Sequence, residues 1–346
     1  MSIETIKWHV GYTRREWELS DIILNVEHLK KKYIIEKTFF GKEKAILDAV
    51  DNVSFSIKKG ESFALVGESG CGKSTTARSI LKLIEADGGR VIFEDKTLFD
   101  VENKLSISNK DMSALRKDMQ IIFQDPYASL DKKMKIGQIV AEGIEKHKIM
   151  YGKDAINMAK EYLQICGMDK ESANRYPHEF SGGQRQRIGI ARALAVKPKF
   201  IVADEPVAAL DVSIQAQIIN LLNKLKNRYS LTFLFISHDL SVVKYFCDRI
   251  AVMYLGSIVE LSTGKDLFEN PMHPYTKMLL ESIPVSHPKL RKQRLNLEES
   301  EISLEDRKTG CKFCNRCSYA KERCRHEIPV IKELSGEHFL ACHLYD

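Results

Sequence analysis

Apolar and polar positions along this chain divide it into three stretches of different period. Ile22–Leu29 and Val53–Ile57 alternate apolar and polar, the pattern of half-buried strands. Ser62–Val66 is a continuous apolar run that stops at Gly67, and helical sequence follows Lys73. Met119–Phe123 predicts a further buried strand. Helical periodicity then takes over, with helices expected at Ile136–His147, Ala155–Cys166 and Gln184–Ala195. Strands return at Phe200–Ala203, Thr232–Ile236 and Ile250–Leu255, and a helix at Ser213–Arg228 separates the first two. Strands alternating with helices predict an α/β core with a mostly parallel sheet plus antiparallel strands. The all-helical stretch, about 125–196, reads as a subdomain inserted into that core.

Both ends differ from the middle. Residues 1–22, with Trp8 and Trp17, read as an N-terminal arm, and residues 23–265 as the main domain. Beyond it Pro271, Pro274, Pro284 and Pro288 punctuate the chain, and a basic run (Lys289–Arg294) meets an acidic one (Glu298–Asp306). Residues 266–346 therefore read as a small Cys-rich C-terminal extension.

Composition narrows the class. The chain has 346 residues, 44% hydrophobic and 29% charged, an ordinary balance for a soluble globular protein. Net charge is +6, too mild to argue for nucleic acid. No apolar run approaches a membrane span. The N-terminal segment is charged throughout, unlike a secretory signal, so a cytoplasmic location is expected. Of eight cysteines, five lie between Cys311 and Cys342. In a reducing compartment such clustering favours metal binding over disulfides.

The chemistry concentrates in a few short motifs. Gly67, Gly72, Lys73 and Ser74 meet the G-x-x-x-x-G-K-[ST] spacing of a phosphate-binding loop, in the required strand–loop–helix context. Gly67, Ser69, Gly70, Cys71, Gly72, Lys73, Ser74 and Thr75 are thus the expected ATP-binding positions. Glycines let backbone N–H groups turn toward phosphate oxygens, and the following helix offers its positive end. Lys73 reaches the β- and γ-phosphates, and the Ser74 hydroxyl can ligate Mg²⁺. The strand at 200–205 ends in Asp204, placed to hold Mg²⁺ through water, and Glu205, placed to polarise an attacking water.

With these motifs the chain resembles an ATP-binding-cassette (ABC) ATPase, with its P-loop core, over residues 23–265. The resemblance implies that Gln124 contacts Mg²⁺ and water, that His238 contacts the γ-phosphate, and that Tyr33, with Phe39 and Phe40 nearby, stacks on adenine. Glu205, His238, Lys73 and Gln124 become the expected catalytic set. It further implies that Ser181, Gly182, Gly183 and Gln184 form a signature loop closing over ATP held by another subunit. The loop Ala209-Leu210-Asp211 then lies at the dimer interface. Phe180 stands where the family commonly has leucine. Ala208 stands where it usually has serine, and the missing hydroxyl is expected to weaken communication between the two sites.

Further motifs resemble the ATPase subunits of oligopeptide and dipeptide importers: HEFSGGQRQRIGIARAL, MYLGSIVEL, ENPMHPYTKMLLESIP, the GC-x5-C-x6-C spacing and ACHLY near the end. This implies ATP hydrolysis driving peptide import at the cytoplasmic face of the membrane. The partners implied are a paralogous ATPase subunit (or a second copy), two transmembrane permease subunits and, indirectly, an extracytoplasmic peptide-binding protein. It also implies a 4Fe–4S cluster on Cys311, Cys317, Cys324 and Cys342, with Cys314 extra. Zn²⁺ is the alternative that four thiolates would also suit, and unliganded thiols come last. An importer for another solute such as nickel, and a soluble cassette ATPase uncoupled from transport, are the competing functions. A nucleic-acid partner is not expected, since the short basic run of the tail is balanced by acidic residues.

Overall fold

The computed structural model describes residues 21–37, 43–283 and 309–346. The arm 1–20 with Trp8 and Trp17, Phe39 and Phe40, Pro284, Pro288 and both charge runs lie outside the described residues.

Two sheets form the body. The first is antiparallel: β1 (Ile22–Lys37), β2 (Glu43–Lys58), β4 (Gly88–Phe93), β5 (Lys96–Asp100) and β6 (Leu105–Ser106), in the order β2-β1-β4-β5-β6. The second has eight strands. These are β3 (Ser62–Val66), β7 (Met119–Ile122), β8 (Phe200–Asp204), β9 (Thr232–Ser237), β10 (Arg249–Tyr254), β11 (Ser257–Thr263), β12 (Lys332–Ser335) and β13 (His338–Leu340). Their order is β12-β13-β11-β10-β3-β9-β8-β7, parallel from β10 to β7 and antiparallel from β10 to β12. β3, β8 and β9 are buried at every position, which is why they read as unbroken apolar runs.

Strand periodicity sorts the core into two faces. Ala64, Val66, Ala203, Phe233 and Phe235 face one cluster, shared with the helices of the 125–196 stretch. Phe63, Leu65, Phe200, Val202, Leu234 and Ile236 face the other, shared with the antiparallel sheet. The expected helices form as α3 (Ile136–Lys146), α4 (Gly152–Ile165) and α5 (Gly182–Leu194), and the later one as α6 (Val212–Tyr229). α1 (Lys73–Ile80), α2 (Asn109–Leu115), α7 (Leu240–Phe246), α8 (Gly264–Glu269), α9 (Pro274–Glu281) and α10 (Glu322–His326) complete the set. No helix among the described residues is long and apolar enough to cross a membrane.

The tail is less separate than its composition suggests. β13 pairs with β11 through Glu260↔Leu340 and Leu261↔Phe339, extending the main sheet. Glu260 is fully buried. It accepts the His338 ring nitrogen at 2.7 Å and the backbone N–H groups of Met272 and His273 at 2.8 and 2.9 Å. One carboxylate thus pins the tail hairpin and the start of α9 to β11.

Candidate active site

In an open parallel sheet, ligands bind beyond the carboxyl ends of adjacent strands. β3, β9 and β8 are neighbours, so Gly67, His238 and Glu205 emerge side by side. The loop between β3 and α1 turns on glycines. At Gly67 (φ +150°) a β-carbon would lie 2.1 Å from the Met253 carbonyl oxygen. At Gly72 (φ +106°) it would lie 2.0 Å from that of Ala49. Only glycine allows these approaches. Ser69 and Gly70 are exposed at the loop's tip, Cys71 is buried beneath it, and Ser74 and Thr75 open α1 half-buried. Burial pushes the Cys71 thiol pKa up. Lys73 is buried, and its Nζ donates to the carbonyls of Gly67 and Glu68, both at 2.8 Å. The ammonium thus holds the loop closed around the point where it can meet a phosphate.

Two carboxylates face this loop. Ser74 Oγ donates to Asp204 Oδ1 at 2.7 Å, bringing together two hard oxygen donors of the kind Mg²⁺ prefers. Asp204 is 1% exposed, and burial raises its pKa against the opposing pull of Ser74 and Arg78. Glu205 adopts φ +46°, a left-handed conformation uncommon for a non-glycine residue. Its Oε2 accepts from Gln124 Nε2 at 3.0 Å and lies 3.2 Å from His238 Nδ1. A carboxylate held by an amide and an imidazole, one residue past a cation-type pair, can orient and polarise a water for attack on phosphorus. Gln124 is bonded to Glu205, the residue after Asp204.

The second glycine loop begins α5. Ser181 caps the helix: its Oγ accepts from Gln184 N–H at 3.4 Å, and Gln184 Oε1 accepts from Ser181 N–H at 3.0 Å. Gly182 and Gly183 pack on the 208–214 segment, where a β-carbon on Gly183 would approach Ile214 Cγ2 to 2.5 Å. Asp211 caps α6, and Gln215 Nε2 donates to the carbonyls of Val207 and Leu210 at 3.1 Å each. Ala208, Ala209 and Asp211 are exposed, and Leu210 is half-buried. One chain therefore presents two glycine loops, Ser181–Gln184 and Gly67–Thr75, that share no hydrogen bond among the described residues. Tyr33 lies on β1, 41% exposed, with Lys31 Nζ 5.6 Å from its ring centre.

The tail thiols do not support the expected metal centre as they stand. No group of three or more His, Cys, Asp or Glu among the described residues is arranged to hold a metal ion. Burial pushes the Cys311 thiol up to about 12, and its neighbours Cys324, Cys342 and Cys317 add to that. Burial likewise raises Cys317 and Cys342.

Two residues that the motifs did not single out touch the phosphate loop. The Tyr275 hydroxyl accepts from the Glu68 N–H at 2.9 Å. Arg316 reaches the Glu68 carboxylate with both terminal nitrogens. Tyr275 carried a signal in the MHPYT run; Arg316 was hidden between cysteines.

The glycine cradle, buried lysine, hydroxyl–carboxylate pair and poised second carboxylate define a phosphate-loop nucleotide-binding protein. Residues 50–208 match the ABC transporter family model, and residues 259–324 match the C-terminal region of the oligopeptide/dipeptide transporter family. The chain is 45% identical over 328 residues to the oligopeptide transport ATP-binding protein AppF of Bacillus subtilis (strain 168), covering 94% of this chain and 98% of AppF. It is 49% identical over 325 residues to OppF of the same organism, covering 94% and 97%. A solved dimer of the ATP-binding cassette MJ0796 with ADP and Pi superposes with a TM-score of 0.61 at 28% identity, covering 69% of this chain and 98% of that one. The chain belongs to the ABC transporter family of ATPases.

Proposed function

We propose that this chain is the ATP-hydrolysing subunit of an importer for oligopeptides or dipeptides. The observation that carries the reading is similarity to peptide-transport ATPases over nearly the whole chain, the C-terminal region included. That span disfavours a cassette uncoupled from transport.

In this reading Gly67–Thr75 wrap the phosphates, and Lys73 leaves the Gly67 and Glu68 carbonyls to meet them. Ser74 and Asp204 would hold Mg²⁺, which would neutralise charge on the phosphoryl oxygens. Glu205 accepts a proton from the attacking water, with Gln124 and His238 fixing its carboxylate. Tyr33 stacks on adenine. Ser181–Gln184 close over nucleotide held by the opposite subunit, with Ala209-Leu210-Asp211 along the seam. The active unit is an ATP-sandwiched dimer with a paralogous ATPase or a second copy. It docks on two permease subunits at the cytoplasmic membrane face, and an extracytoplasmic peptide-binding protein delivers the solute. The division into 1–22, 23–265 with helical 125–196, and 266–346 belongs to the same proposal.

A 4Fe–4S cluster on Cys311, Cys317, Cys324 and Cys342, with Zn²⁺ as the alternative, is a separate proposal. It is supported by thiol donor chemistry alone, and no step above depends on it. Iron, sulfide and zinc content of anaerobically purified protein tests it. About one cluster or one zinc per chain, lost in Cys342→Ser and kept in Cys314→Ser, is expected; metal-free protein contradicts it. The main reading is tested by uptake of labelled peptides in a strain lacking this chain. Complementation by the parent but not by Lys73→Ala is expected, and equal uptake with Lys73→Ala overturns it.

A further inference from the structure

We infer that the C-terminal extension is a positioning element of the phosphate loop, acting on Glu68 through Arg316 and Tyr275. The inference rests on the ATPase reading and names what sets nucleotide affinity at that site. Glu68 is held at three points. Its carboxylate accepts Arg316 Nη1 at Oε2 and Nη2 at Oε1, both at 2.9 Å. Its N–H donates to the Tyr275 hydroxyl at 2.9 Å. Its carbonyl accepts Lys73 Nζ at 2.8 Å. Two of these holds come from beyond residue 265, and the third is the lysine that meets the phosphates.

The segment carrying Arg316 is itself anchored. Lys312 Nζ donates to Asp51 Oδ2, the Leu255 carbonyl and Ser257 Oγ at 2.8, 2.9 and 2.7 Å. Phe313 is 2% exposed and packs against Tyr254 and Tyr275, with ring centres 5.3 and 5.5 Å away. The guanidinium also donates to the Tyr254 hydroxyl at 3.4 Å. A planar fork on a carboxylate fixes distance and direction together.

Charge gives the arrangement its consequence. Glu68 sits on a loop built to receive a polyanion, and an unpaired carboxylate there repels it. Arg316 pairs with that charge at 2.9 Å through both terminal nitrogens. Movement of the Cys311–Cys317 segment therefore reaches the phosphate site directly through Arg316 and, by way of Phe313, through Tyr275.

The test measures MgATP affinity and steady-state hydrolysis of the full chain and its variants, with thermal melting as control. Arg316→Ala is expected to raise the Kd for MgATP about tenfold, equivalent to ~1.4 kcal/mol, with kcat at saturating ATP changed by less than about twofold. Arg316→Lys, which lacks the fork, and Tyr275→Phe are each expected to raise it about threefold. Adding Glu68→Gln to Arg316→Ala recovers part of the loss by removing the repelling charge. Arg316→Lys and Tyr275→Phe keep the test open if Arg316→Ala does not fold. Variants that melt at lower temperature yet bind MgATP like the parent overturn the inference, leaving the tail purely structural. A parent chain that binds no ATP overturns the ATPase reading itself.

Discussion

Glu205→Gln separates nucleotide binding from hydrolysis most sharply. The change keeps the size of the side chain and the left-handed backbone of a residue at φ +46°. It removes the charge that Gln124 Nε2 meets at 3.0 Å and His238 Nδ1 at 3.2 Å. Ser74, Asp204 and Lys73 are untouched, so MgATP binding should persist. Loss of a general base costs about 10²- to 10⁴-fold in rate, or ~3–5 kcal/mol of barrier. Phosphate release under steady state, read beside size-exclusion chromatography in MgATP, checks both halves. The expected result is near-absent turnover together with an ATP-dependent dimer that does not dissociate. A variant hydrolysing ATP at the parent rate refutes the role assigned to Glu205.

Gly72→Ala drives a β-carbon to 2.0 Å from the Ala49 carbonyl at φ +106°. It should destabilise the fold by at least ~2 kcal/mol and abolish ATP binding, measured by urea denaturation and nucleotide titration; parent-like stability contradicts the packing described. His273 gives a pH signature. Burial first, with Lys277 adding and Glu260 opposing, lowers its pKa from 6.5 to about 4. The folded value lies below the unfolded one, so the stabilisation is whole above pH 6.5 and is lost as pH falls through about 4. The shift from 6.5 to about 4 corresponds to ~3 kcal/mol. Urea midpoints should fall over that window in the parent and fall less in His273→Gln; identical profiles refute this.

Much of the core was legible because its strands are buried on both faces. β3, β8 and β9 read as apolar runs for that reason. The antiparallel layer was legible in part: the alternating segments Ile22–Leu29 and Val53–Ile57 lie within β1 and β2. β4 opens with two glycines and β6 has two residues, so neither shows a period. β1 and β2 extend to 16 residues each, well past their alternating segments, because pairing with each other sustains them where burial does not. The β12–β13 hairpin is equally short and gains its place from β11.

The candidate site was legible wherever a motif carries its own chemistry. Gly67–Thr75, Asp204, Glu205 and His238 each follow a strand end, and strand adjacency gathers them. Contacts spanning the chain left no local trace. Arg316 and Glu68 are 248 residues apart, and neither residue type is unusual where it stands. The cysteine spacing was legible too, but spacing does not set how closely thiols converge or whether they ionise.

Hydrolysis by this chain is coupled to peptide import. The most direct measurement is ATP turnover by this chain assembled with its partner ATPase and permease subunits in lipid vesicles, with and without peptide-loaded binding protein. Peptide-loaded binding protein is expected to raise turnover, and labelled peptide to accumulate inside only while ATP is hydrolysed. Turnover indifferent to peptide, or accumulation undiminished by Glu205→Gln, would contradict that coupling.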